Sequence, residues 1–278
     1  MVATAVLGVV AAPLAANKGT TMSRVLGSRE CRYAAPQPEP TQFVYLFNAG
    51  GSAVTGALST TLLLQAGVAG TAAACARARR FAHVSVLHLA VLSYYGPNVA
   101  ALATAAICSG AGGIVPVVGL ILNAALVGVA SASAWVFAPH HHSLWKDARD
   151  QRSPLVRVYG AVDLMCAFVV GVLSGAGGLA CATRGVLICA TLLVNLAHAA
   201  LVRPASRPLD NVLGVTTALL VFGLALVSAA APREPAYDNA VIALAAVVAA
   251  WMYLLLALAL ATSVCGFLRR RVNHPIKE

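Results

Sequence analysis

Among the acidic side chains of the 278-residue chain, Asp163 stands apart, because it falls inside the apolar run GAVDLMCAFVVGVLSGAGG at residues 160 to 178. A carboxylate in such surroundings is costly to keep ionised, so it is hydrogen-bonded, protonated or engaged in proton chemistry. Three further residues carry the chemistry to meet it. His88 lies in an earlier apolar run with Ser85 and Tyr95, and Asn195 and His198 lie in a later one, where with Thr191 they follow steps of four and three and so share a helix face. Imidazole changes charge near neutrality. Asp163, His88, Asn195 and His198 therefore form a candidate intramembrane polar site in which an acid and a histidine share or relay a proton. The plainer reading of the same residues is structural. A hydrogen bond from Asn195 or a histidine to Asp163 would join two helices and contribute about 0.6 to 2 kcal/mol.

The neighbours of Asp163 in sequence set its direction. Gly160, Asp163, Ala167, Gly171, Gly175 and Gly178 follow one another at steps of three and four, and Gly171 with Gly175 makes a GxxxG pair. Small side chains let a second helix approach closely. This face is expected to turn toward protein, with Leu164, Phe168 and Val172 toward lipid or a looser contact. At about 1.5 Å per residue Asp163 lies on the order of 10 Å from Arg157, in the half of the membrane nearer the basic loops.

Other chemistries find less support. His140, His141 and His142 are consecutive, so on a helix they diverge, whereas zinc requires converging ligands; with Trp145 nearby, the segment reads as interfacial. The seven cysteines include no CxxC pair, and their spacing indicates neither a zinc site nor a disulfide framework. The last apolar run, residues 239 to 266, has no lysine to hold a retinal Schiff base, and His83, His88 and His198 fall on one side where a di-haem bundle needs pairs on both. No HExxH occurs, and the SGAGG segments at 109 to 113 and 174 to 178 lack the lysine of a phosphate loop. The expectation is a protein with no enzymatic activity, no cofactor and no metal.

The elements that position these residues follow from composition. Hydrophobic residues make up 60% of the chain and charged residues 10%, against roughly a quarter charged in soluble domains, and the mean hydropathy is +0.82. Nine acidic and nineteen basic side chains cannot cover a soluble globule of this size. Apolar runs near 43–74, 82–109, 113–138, 157–177, 184–203, 210–230 and 239–266 each reach the ~20 residues that cross a bilayer. The expected fold is an all-α polytopic transmembrane bundle of about seven spans over residues 42–268. It follows an N-terminal segment with a polar linker at 1–41 and precedes a basic tail at 269–278. The longer runs must tilt, kink or extend beyond the bilayer, and Pro97 marks a kink.

Basic residues orient the bundle. Alternate loops hold Arg77, Arg79 and Arg80; Lys146, Arg149, Arg152 and Arg157; Arg203 and Arg207; and Arg269, Arg270, Arg271 and Lys277, while the opposite loops hold only Arg184 and Arg233. The positive-inside rule then places the C-terminus inside and, with seven spans, the N-terminus outside. The net charge of +10 is thus a topology signal, clustered in loops with no aromatic-interleaved stripe for nucleic acid. Residues 1–16 read equally as a signal peptide, the start of an organellar transit peptide or an interfacial helix.

Seven spans with an external N-terminus are similar in topology to the seven-helix receptors. The aspartate, arginine, aromatic triplet of their third helix and the asparagine and proline motif of their seventh are both missing. Abundant Ala, Val, Leu, Gly and Arg fit a GC-rich genome, including those of some large DNA viruses. The leading expectation is a multi-pass protein that works by helix packing and association, as in membrane organisation, trafficking or an envelope. Its expected partners are the lipid bilayer, a second copy or other membrane proteins. It would sit in the plasma membrane or an endomembrane, with organellar and viral-envelope settings as alternatives. A small-solute or proton-coupled transporter or channel built around Asp163 is the second expectation, and a receptor-like protein the third.

Overall fold

The computed structural model describes residues 82–110, 113–137, 154–203, 208–230 and 235–273, with the isolated positions 63 and 67. Within these residues every regular element is an α-helix. They are α1 (Ala82–Cys108), α2 (Val115–Phe137), α3 (Pro154–Gly175), α4 (Cys181–Val202), α5 (Pro208–Ala230) and α6 (Pro235–Asn273). Three begin at a proline, whose fixed φ and missing N–H suit the first helical position. The expected span at 43–74 lies outside the described residues, except for the helical positions Leu63 and Gly67. The N-terminal segment and the His140–His142 loop also lie outside them.

Each helix packs on the next in sequence, and α1 packs on α3 as well. Side-chain pairs give the directions. Asn123 of α2 meets Gly96 of α1, and Val127 joins Leu92 in one apolar cluster, so the residue order rises on one helix as it falls on the other and the two are antiparallel. Ser174 with Arg184 and Asp163 with Asn195 show the same for α3 and α4. Gly171 lies against Pro97 and Gly175 against Ala101, so α1 and α3 run parallel. The alternation puts the start of α1, the end of α2, the start of α3 and the end of α4 at one end of the bundle.

The turns at the other end are short. SGAGG at 109 to 113 uses Gly110 at φ 70° and Gly113 at φ 59°, left-handed conformations that cost glycine little. At the basic end α4 stops with Arg203 at φ 47°, its N–H bonded to the Ala199 carbonyl at 3.3 Å, and Pro204 prevents continuation.

Three of the described helices hold a segment long and apolar enough to cross a membrane: Val158–Gly175 in α3, Cys181–Val202 in α4 and Pro208–Ala230 in α5. Shorter apolar stretches occupy Val115–Val129 of α2 and Asn239–Leu255 of α6. The largest buried cluster joins Val170 to Ile188 and Leu192, Val221 and Leu224, and Val241 and Val248, across α3 to α6. Many large apolar side chains instead point outward, including Val186, Val194 and Leu201 of α4 and Leu219 and Leu226 of α5. Such exposure is costly in water and ordinary against lipid tails.

The expectation for Leu164 is corrected. Leu164 is buried with Leu92 and Val127, and Phe168 packs against that cluster. The reason is that α3 has three helical neighbours, α1, α2 and α4, so little of its circumference is left for lipid.

Candidate functional site

The site is built on α3, whose small-residue ridge is divided between two partners. Gly171 and Gly175 face α1. A methyl group at Gly171 would meet the Pro97 carbonyl oxygen and lie 2.9 Å from Pro97 Cα, and one at Gly175 would meet the Ala101 carbonyl oxygen and lie 3.0 Å from Ala105 N. Side-chain carbons do not sit that close to backbone, so glycine is required for this approach. Gly178 takes no part in it: α3 ends at Gly175, and Gly178 is an exposed turn residue with open space around it. Gly160 is half-buried in the second turn of α3.

Asp163 turns to α4 instead. Its side chain is buried, 2% exposed, and Oδ1 accepts a 2.9 Å hydrogen bond from Asn195 Nδ2. Asn195 belongs to the buried face of α4 formed by Arg184, Ile188, Leu192, Asn195 and Ala199, at the steps of four and three of one helical stripe. One turn on, the His198 ring stacks on Tyr159, with centroids 5.6 Å apart and an interplanar angle of 16°. Tyr159 precedes Asp163 by one turn on the same face of α3. Asn195 Oδ1 and His198 Nδ1 are buried without a hydrogen-bond partner.

Of the four candidate polar residues, Asp163, Asn195 and His198 come together between α3 and α4. His88 lies one turn before Leu92 on α1, and its side chain is outside those described. Tyr95 is buried on α1, and Thr191 donates to the Leu187 carbonyl of its own helix at 2.9 Å, away from Asp163. At five residues into its apolar segment, Asp163 is about 8 Å from the basic end of that segment.

Sequence reasoning missed several polar contacts. Tyr159 was silent as one more aromatic in an apolar run, though its four-residue spacing from Asp163 was available. Arg184, counted above as a loop residue, lies in the first turn of α4 and is buried, donating to the Ser174 carbonyl at 3.5 Å and contacting Cys181 Sγ at 3.8 Å. Its step of four to Ile188 was the signal. Asn123 Nδ2 donates to the Gly96 carbonyl at 2.7 Å beside Pro97, and Trp251 Nε1 donates to Thr217 Oγ1 at 3.0 Å between α6 and α5. Cys181 is disulfide-bonded, a bond that the cysteine spacing had not indicated.

These features define a class, a helical bundle with membrane-spanning character whose buried polar groups reach across helix pairs. No protein-family model, curated protein or solved structure matches this chain. Among the described residues no cluster of three His, Cys, Asp or Glu side chains is placed to hold a metal.

Proposed function

We propose that this is a multi-pass integral membrane protein without catalytic activity, acting through helix packing and association within the bilayer. One observation carries the reading: the carboxylate inside a candidate span is bonded to Asn195 of the neighbouring helix. The glycine pair on the same helix is in close backbone contact with α1. The residues with chemical potential are used to hold helices together. Because the GxxxG ridge is occupied within the chain, association with a second copy or another membrane protein falls to the outward apolar faces of α2, α4 and α5. The seven-span topology with the basic loops inside belongs to this proposal, as does residence in a plasma, endomembrane or envelope bilayer.

The test is energy transfer between donor- and acceptor-labelled copies in liposomes. Transfer that persists as the protein is diluted with lipid supports stable self-association. Transfer that vanishes at every dilution, with no binding to another membrane protein from the same membrane, removes it.

A second reading is favoured by His198 Nδ1, which is buried without a partner, its ring stacked on Tyr159 one helical turn from Asp163. An acid, an imidazole and a phenol in one cluster have the composition of a proton site. A pH gradient collapsed by the reconstituted protein and preserved by the Asp163→Asn variant would favour transport.

A further inference from the structure

Pro97 stands in the interior of α1. Proline has no N–H, so the Ser93 carbonyl lacks the donor that residue 97 of an α-helix would supply, and the ring crowds that carbonyl as well. Proline also disfavours the helical conformation of the residue before it. Here that residue is Gly96, the residue type with the widest choice of alternatives. The backbone of α1 is therefore weakest at Gly96 and Pro97.

Packing divides α1 at the same place. Toward the SGAGG turns, Val99, Leu102, Ala103 and Ala106 form one buried cluster, with Leu120 of α2 packed against it. Toward the start of α1, Leu92 belongs to another, with Val127 of α2 and Leu164 of α3. The two halves are held differently. Gly171 and Gly175 set the backbone of α3 directly against Pro97, Ala101 and Ala105, which fixes the second half to α3 over two turns. Among the described residues, the first half has no glycine contact of this kind and meets α2 and α3 through the side chains around Leu92.

One polar group crosses the joint. Leu120, Asn123 and Val127 follow steps of three and four on one face of α2, so Asn123 sits between the two clusters. It is wholly buried, Nδ2 donates to the Gly96 carbonyl at 2.7 Å, and Oδ1 has no hydrogen-bond partner. A leucine of similar size would leave no buried polar atom unpaired. What the amide adds is the bond to Gly96.

We propose that α1 is a hinged helix. The half from Ala82 to Tyr95 swings about Gly96 and Pro97, the half from Asn98 to Cys108 stays on α3, and the Asn123 amide is the latch that holds the joint closed. The direction of opening follows from register. Gly171 beside Pro97 and Gly175 beside Ala101, on parallel helices, put Asp163 level with residue 89. The swing thus parts α1 from α3 at the level of the turn that carries Asp163, from the end where both helices start.

Spin labels carried by p-acetylphenylalanine leave every cysteine in place, and double electron–electron resonance then reads distances in the full chain in lipid nanodiscs. One pair, at Ala82 and Leu155, reads the starts of α1 and α3. A second, at the exposed positions Ile107 and Ala182, reads the opposite end. Asn123→Leu should raise the ratio of long to short distances in the first pair by roughly two- to tenfold, the equilibrium worth of one hydrogen bond, and leave the second pair as in the wild type. Pro97→Ala, alone or combined with Asn123→Leu, should narrow the first pair to one short distance. Three results overturn the proposal: a first pair unchanged by Asn123→Leu, equal broadening of both pairs, and broadening that persists in the combined variant.

Discussion

Replacing Gly175 by alanine puts a methyl group where the backbone of α1 already lies. The added Cβ would sit 3.0 Å from the Ala101 carbonyl carbon and 3.0 Å from Ala105 N. Neither these atoms nor the Ala101 carbonyl oxygen, which the methyl group meets first, can rotate away as a side-chain tip would, so α1 and α3 must separate by about an ångström. Overpacking of this kind costs about 1–3 kcal/mol. Alanine recovers up to about 1 kcal/mol of helix propensity, and less at Gly175, the last helical residue. The single variant should lose about 1–2 kcal/mol, and the Gly171→Ala, Gly175→Ala pair about 2–4 kcal/mol, since Gly171 meets Pro97 in the same way. Gly223→Ala is the control: it is interior to α5 and a methyl group there meets nothing within 4 Å, so the variant should be as stable as the wild type or more so. Equilibrium unfolding in mixed micelles, followed by circular dichroism, measures all three. A double glycine variant as stable as Gly223→Ala would refute the close approach of α1 and α3.

Further expectations concern the polar contacts. Asn195→Ala leaves the buried Asp163 oxygen without its amide donor and should destabilise by roughly 1–2 kcal/mol, whereas Asp163→Asn keeps an acceptor for Asn195 Nδ2 and should stay within about 1 kcal/mol of wild type; the same unfolding assay compares them. Thr217→Val removes the acceptor of the Trp251 indole and should cost about 0.5–1.5 kcal/mol, with a change in tryptophan emission as the direct readout. His198→Phe keeps a ring against Tyr159 while deleting the unpartnered Nδ1, so it should be no less stable than wild type in thermal unfolding.

The extent of α1 to α6 was legible because uninterrupted apolar length is a strong signal, and the ends moved by a few residues. α3, α5 and α6 start earlier than the apolar runs because Pro154, Pro208 and Pro235 can open a helix as well as break one. The Gly171 and Gly175 spacing marked a close-packing surface, but spacing within one helix carries no information about which helix it meets, and Pro97 and Ala101 could not be named. Asn195 was placed among the candidates for Asp163 because both are polar in apolar runs. Tyr159 and Trp251 escaped notice since an aromatic ring in such a run looks like core until its hydroxyl or N–H finds a partner. Arg184 escaped because a cation at the edge of an apolar run reads as loop, while its position one turn before Ile188 puts it on the buried stripe. Leu164 was turned the wrong way because one small-residue face suggests one neighbour, and α3 has three.

The central claim is that Asp163 holds α3 to α4 and moves no proton. The most direct measurement places wild type and Asp163→Asn in liposomes under an imposed pH gradient, with the folded fraction of each determined by unfolding in the same lipid. The account predicts that neither protein dissipates the gradient faster than empty liposomes and that both are folded. Rapid dissipation by the wild type, abolished in an equally folded Asp163→Asn protein, would contradict it.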